Sequence, residues 1–231
     1  MLYKTKGIAL SYIRFKESSI IAKIYTESFG IQSYIVNGVR NAKSKGNKIA
    51  LFQPLTLLDL VVYHKGKNDA VHRISEIKCT TPFHSIPFEM SKSAIALFLT
   101  EILSKTLKEE EKNEELFQFL ENSISDLDHL VSNFENFHLQ FLGHYAAFLG
   151  FGIESVSDLE SELKQNNYPY LMNPADSKIM SEILSNAAYG NIKMERSTRA
   201  AMLDKFLFFY KIHIEGLGEI KSLDVLKVVM R

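Results

Sequence analysis

The 231-residue chain has one cysteine, Cys79. A single thiol excludes an intramolecular disulfide and any multi-cysteine metal site; at a strand end, Cys79 reads as a small buried hydrophobe. No apolar run approaches the roughly 18 residues that a membrane-spanning helix needs. The opening MLYKTKGIAL has a basic flank but only a short apolar stretch, soon interrupted by Arg14 and Lys16, and it lacks a small-residue cleavage site. A secretory signal is not expected, and the chain reads as cytosolic with no membrane partner. A Gly-rich phosphate loop with its Lys-Ser/Thr is missing, and so is a G-x-S-x-G elbow. The seven histidines are scattered. His138 and His144 lie six apart on one expected helix, a poor spacing for shared metal ligation. The run KEEEKNEE fits a solvated helix face and turn. No catalytic residue, metal ligand set or cofactor is expected.

Net charge is missing too, with 27 Lys and Arg against 27 Asp and Glu. The zero hides a split. Residues 1–78 hold 13 basic and 5 acidic residues, a net +8, and residues 79–231 hold 14 against 22, a net −8. Such asymmetry is typical of a nucleic-acid-facing part joined to a differently employed one. The 46% hydrophobic content is ordinary for a globular chain, and the length supports a sizeable core.

The first third reads as β. GIALSYI alternates, placing Ile8, Leu10 and Tyr12 on one face. SIIAKIYT is rich in β-branched and aromatic residues, and Gly30 supplies a turn before IQSYIVNG. The apolar run LFQPLTLLDLVVY is expected as a fourth strand, with Pro54 tolerable at its start. AVHRISEIK alternates as a fifth. Five short strands in about 80 residues imply a small barrel. After Pro82 and Pro87 the apolar period becomes helical. Helices are expected over 88–107, 112–131 and about 134–148, with Gly150 and Gly152 as stops. Asp176 and Ser197 are candidate N-caps for two more, and a short helix follows near 223–229. The reading is a multi-domain β + α chain: a barrel over 1–80 and an all-α domain over 81–231.

One segment stands out. Between Asn37 and Ile49 the chain carries Arg40, Lys43, Lys45 and Lys48, two glycines and no acid. Cations strung along an adjustable backbone suit a line of phosphates, whose condensed counterions they release. Arg14 and Lys65 extend the patch by charge and position. Tyr12, Phe15, Tyr25, Phe29, Tyr34 and Tyr63 offer rings for base stacking, the mode of sequence-tolerant single-strand binders. Most must fill the barrel, so no more than two are expected to be free. The plainer reading of the segment is a solubilising surface loop.

The stretch GIALSYIRFKESSIIAKIYTESFGIQSYIVNGVRNAKSKGNKIALFQPLTLLDLVVYHK resembles the amino-terminal domain of the bacterial RecO family. The features that carry this are Glu17-Ser18, Thr26 with Gly30, Gly38-x-Arg40, Lys43-Ser44-Lys45 and Gln53-Pro54. The resemblance continues more weakly to RSTRAAMLDKFLFFYKIHIEGLGEIKSLDVL. It implies a five-stranded OB-fold followed by a helical domain. It also implies a non-enzymatic mediator of DNA repair and recombination, cytoplasmic and associated with the nucleoid. Such a mediator binds single- and double-stranded DNA, anneals complementary strands and, with RecR, helps RecA replace single-strand-binding protein (SSB). The implied DNA contacts fall on Arg40, Lys43 and Lys45. Many members carry a four-cysteine zinc site after the third helix. The corresponding stretch here, 151–180, has no cysteine, so no zinc is expected; Tyr168, Tyr170, Leu171 and Met172 are candidates to pack it instead. The family also contacts the acidic, apolar-ended SSB tail, which needs an apolar pocket rimmed by cations. Arg196, Arg199, Leu203, Lys205 and Phe206 are the candidates. An OB-fold protein–protein adaptor without direct DNA binding is the alternative.

Overall fold

The computed structural model describes residues 1–39, 48–64, 71–169 and 172–230. Five strands, β1 (Leu2–Phe15), β2 (Ser19–Thr26), β3 (Gly30–Val36), β4 (Leu57–Tyr63) and β5 (His72–Cys79), form a closed barrel in the order β1-β2-β3-β5-β4. β1 pairs with β4 from Leu2 to Ile8 and with β2 from Gly7 to Phe15, both antiparallel. A short parallel seam, Tyr34 opposite His72 and Ile35 opposite Arg73, joins β3 to β5. The period of two sends Ile20, Ala22 and Ile24 of β2, Tyr34 and Val36 of β3, and Leu58, Leu60 and Val62 of β4 into one core. Each large aliphatic buried there contributes about 1.5–3 kcal/mol relative to exposure.

Two strand expectations need correcting. β1 does not alternate cleanly: Ala9 enters the barrel core, Ile8 is buried on the other face beside Tyr25, Leu10 lies at a bulge between Ala9 and Ser11, and Tyr12, opposite core residue Ala22, is still 40% exposed. An extra residue in one strand of a pair shifts the facing of everything beyond it. The run 51–63 is not one strand either. A 3₁₀ turn (Lys48–Phe52) and a turn through Pro54 and Leu55, with φ 63° at Leu55, precede β4.

Seven α-helices follow: α1 (Met90–Thr106), α2 (Glu114–His129), α3 (Phe137–Phe148), α4 (Val156–Gln165), α5 (Pro174–Ser185), α6 (Arg196–His213) and α7 (Ser222–Val229). The expected third helix is divided, because left-handed Asn133 leads into a separate 3₁₀ turn over Phe134–Asn136. The cap of α5 is Asn173, whose Oδ1 accepts from Asp176 N at 2.9 Å, with Pro174 at the first helical position. Asp176 thus sits inside the first turn. α6 starts from Glu195 with no side-chain cap, and Ser197 already lies within the helix.

Contacts divide the chain into two units, residues 1–84 with 99–125, and residues 85–98 with 126–231. In the first, Tyr25 stacks on Phe117, Lys6 Nζ pairs with Glu121 at 2.8 Å, and Ile31 N donates to Glu109 O at 3.0 Å. In the second, α3 packs on α5 and α6, and α4 packs on α6. Lys92, only 2% exposed, donates to Ser85 Oγ at 2.6 Å and Asp128 O at 3.0 Å, while Asp128 Oδ1 accepts from the backbone N–H of Ser85 and Ile86. A buried charge persists only when its hydrogen bonds are met in this way.

Two glycines are fixed by space. A Cβ on Gly30 (φ 60°) would fall on the Glu109 carbonyl oxygen, and one on Gly7 would approach Ile24 Cγ2 and Leu60 Cδ1 at 2.8 Å. Side-chain ends yield where backbone does not. Gly7→Ala should therefore cost about 1–2 kcal/mol, and Gly30→Ala about 3 kcal/mol or more, since positive-φ strain adds to the clash. Urea unfolding followed by circular dichroism ranks the two.

Candidate nucleic-acid interface and a cation-rimmed pocket

Of the residues proposed for DNA contact, Arg40, Lys43, Lys45 and Lys65 lie outside the described residues. Arg14 and Lys48 are described, and both are exposed. The two feet of the basic segment are fixed in the barrel core. On the β3 side, Ser19 Oγ donates to Asn37 Oδ1 at 2.9 Å, Gly38 turns with φ 69°, and Val39 is 4% exposed. On the β4 side, Ile49 and Leu51 pack against the core, Phe52 is buried in it, and Leu55 N donates to Ala9 O at 2.9 Å. Val39 and Phe52 belong to the same apolar cluster.

The barrel's cations fall into two groups. Lys6 is held by Glu121, Lys23 Nζ donates to Ser104 O at 2.9 Å, and Lys78 faces Asp59 at 3.3 Å. Arg14, Lys48 and Arg73 are exposed and make no ion pair among the described residues. The rings divide just as sharply. Tyr25 and Tyr34 are fully buried, and burial raises the Tyr25 phenol to about 12. Phe15 and Phe29 are half-buried. Only Tyr12 and Tyr63 of the six named rings are substantially exposed, at 40% and 45%.

The second unit contains a cavity of about 230 Å³ lined by His138 of α3, by Arg196, Arg199, Ala200 and Leu203 of α6, and by Leu226, Lys227 and Met230 at α7. The α6 residues recur at i, i+3, i+4 and i+7, one face of a helix. Arg199 Nε donates to Asn136 Oδ1 at 2.7 Å, and Asn136 Nδ2 to Ile192 O at 2.7 Å, so the guanidinium is aimed from behind. Burial lowers the Arg199 pKa, with Arg196 adding to the effect against Glu135. Burial, with Arg199 nearby, pushes His138 down to about 3, and its Nδ1 has no hydrogen-bond partner among the described residues. Apolar walls with cations at the rim suit a peptide that is acidic and ends in an apolar residue.

Two of the five tail candidates face elsewhere. Lys205 is 3% exposed with Nζ over the Tyr168 ring at 5.6 Å, and Phe206 is fully buried, near Gly143 of α3. Conversely, His138, Leu226, Lys227 and Met230 escaped the sequence reading. The i, i+4 pair Leu226 and Met230 was its one local trace.

The cysteine-free stretch 151–180 is held by ordinary packing and caps. Leu159, Leu163 and Met180 are buried, Tyr168 packs on Phe208, Ser155 Oγ caps α4, and Met172 N donates to Glu160 Oε1 at 3.2 Å. Tyr170 and Leu171 lie outside the described residues. Among those described, no cluster of three or more His, Cys, Asp or Glu is placed to hold a metal, and no helix is long and apolar enough to cross a membrane.

A closed five-strand barrel followed by a helical domain defines a protein of OB-fold architecture. The family model described as Recombination protein O N terminal matches residues 1–83, and Recombination protein O C terminal matches 87–224. The chain belongs to the RecO family. It is 36% identical over 239 residues to "DNA repair protein RecO" of Flavobacterium psychrophilum, covering 99% of each chain. It is 34% identical to the proteins of that name from Flavobacterium johnsoniae, with 99% of each chain covered, and Bacteroides fragilis, with 98%.

Three outcomes test this geometry. Between pH 6.5 and about 3 the unfolded chain protonates His138 while the native one does not, so stability falls with acidification across that window. His138→Gln removes that contribution, and its acid-unfolding midpoint should lie at lower pH than that of the wild type. Asn173→Ala should cost about 1 kcal/mol through loss of the α5 cap, and a chelator should leave the wild-type melting temperature unchanged.

Proposed function

We propose that this protein is a non-enzymatic mediator of DNA repair and recombination, acting in the cytoplasm at the nucleoid. The observation that carries the reading is a wholly cationic segment, Arg40 to Lys48, rooted at both feet in the core of an OB barrel. The names of the matching proteins support it. Lys and Arg groups set along a phosphate chain lower its repulsion for a second chain and release counterions. Two single strands held this way anneal, and base pairing supplies the specificity, so the protein makes and breaks no bond. With RecR, the same grip helps RecA onto strands covered by SSB.

The cation-rimmed cavity is the proposed seat of the SSB tail. Arg196 and Arg199 face the acidic residues, Lys227 adds to them from its pairing with Asp204 at 3.5 Å, and Leu203, Leu226 and Met230 receive the apolar end. Held there, the protein is delivered to the strands it must pair.

Binding to a fluorescent single-stranded oligonucleotide at several salt concentrations tests the grip. With Arg40, Lys43, Lys45 and Lys48 all changed to alanine, affinity should drop. The log–log salt slope should become shallower by roughly 3 units, at about 0.7 per phosphate contact. Unchanged binding would place the grip elsewhere, and a wild type that binds no DNA would favour the adaptor reading. For the pocket, Arg199→Glu should weaken an acidic peptide ending in phenylalanine at least tenfold without altering DNA affinity.

A further inference from the structure

The barrel's register aligns a row of six residues across its outer surface, two of them from β1 and one from each other strand. Ile13 lies opposite Ile21, Ile21 opposite Ile35, Ile35 opposite Arg73, Arg73 opposite Tyr63, and Tyr63 opposite Leu2. On β2, β3 and β4 the inward neighbours Ile20, Ala22, Tyr34, Val36 and Val62 fill the core, so the period of two turns the row outward. Ile13 is 64% exposed, Leu2 54% and Tyr63 45%, while Ile21 and Ile35 between them are half-buried. The row has five apolar or aromatic members, one cation and no carboxylate. Isolated exposed apolar residues are ordinary on a protein surface, but a continuous transverse line of them marks a contact surface.

Electrostatics selects the occupant. The row's one charge is Arg73, seated between Ile35 and the exposed ring of Tyr63. A phosphate chain crossing the strands would meet this cation while its bases lay on the apolar members. Double-stranded nucleic acid cannot use the row in this way, because its bases are stacked and paired.

We propose that the transverse row Ile13–Ile21–Ile35–Arg73–Tyr63 takes the unpaired bases of a single strand, with Tyr63 as the stacking platform, and is the element that distinguishes single from double strands. This rests on the DNA-binding reading above. The cationic segment grips phosphate whether the strand is paired or not, whereas the row grips only bases that have no partner. Annealing therefore withdraws the row's contact at the moment its product forms, and the duplex is held more weakly than the strands that made it.

Tyr63→Ala and the wild type would be titrated with three labelled probes of equal length: oligothymidylate, the same backbone with abasic sites, and a blunt duplex. One stacked base contributes about 1–3 kcal/mol, so Tyr63→Ala should lose roughly tenfold on oligothymidylate. It should stay within about twofold of the wild type on the other two probes, with the salt slope unchanged. The chain has no tryptophan, so Tyr63→Trp supplies a sole reporter, which oligothymidylate should quench and the duplex should not. Equal losses on all three probes would overturn the proposal. So would an unaltered Tyr63→Ala, which would leave the row to a protein partner. If the four-alanine segment variant binds normally while Tyr63→Ala fails on oligothymidylate alone, the segment assignment falls and the row stands. A wild type that binds none of the probes sinks both.

Discussion

β1 holds hydrogen bonds to two different strands, and the barrel depends on that. Its first half pairs with β4, its second with β2, and Gly7 and Ile8 pair with both. At this crossing the strand passes so close to Ile24 and Leu60 that a Cβ at Gly7 would push both side chains aside. Closure leaves no edge except beside the short β3–β5 seam, and it fixes which residue of every strand lies beside which. The outward row and the inward anchors Val39 and Phe52 are both consequences of that one register. A slip of one residue would exchange the isoleucines of the row for those of the core.

The helical unit solves a different problem, that of burying polar groups it cannot do without. Lys92 lies inside among the acceptors Ser85 Oγ and Asp128 O, and Asn136 ties Arg199 to Ile192 O. An unmade bond in either place would leave a desolvated charge, a loss of several kcal/mol. These networks stiffen the turns around them, and the α3–α6 wall of the pocket is set by one of them. In the 151–180 stretch the described contacts are helix caps at Ser155 and Asn173 and the packing of Tyr168 on Phe208.

Much of this was legible in the sequence because it is periodic. The alternation in SIIAKIYT and the spacing of Leu116, Leu120, Ile124 and Leu127 each have one physical cause, a face turned to a core, and the elements appear where expected. What was not legible depends on single residues or on distant partners. The bulge at Ala9–Ser11 has no local sign, and because of it Ile8 and Tyr12 do not share a face: Tyr12 lies beside core residue Phe52 and Ile8 on the opposite side. Asn173 and Asp176 both make good caps, and the choice between them follows from Pro174, which favours the first helical position. On α6 the cationic cluster was visible, but Lys205 is rotated away from the face that Arg196, Arg199 and Leu203 share, and Phe206, which does share it, is fully buried one turn further on, near Gly143 of α3. His138 and Met230 join that face only through tertiary structure.

The charge split read from the chain changes meaning once the contacts are known. Residues 99–125 carry 7 acidic and 3 basic residues, a net −4, and they pack with the barrel. Added to the +8 of residues 1–78, this leaves the barrel unit at +4, since 79–84 hold no charged residue other than His84. That dilution does not reach the basic segment. Glu109 and Glu111 meet the barrel at Gly30, the start of β3, whereas the segment leaves from Val36 at the other end of the same strand. Six steps of about 3.3 Å put roughly 20 Å between these points, more than twice the Debye length of about 8 Å at physiological salt. Glu109 and Glu111 therefore set their negative charge against the Gly30 end of β3, out of screening range of its Val36 end, although the whole protein carries no net charge.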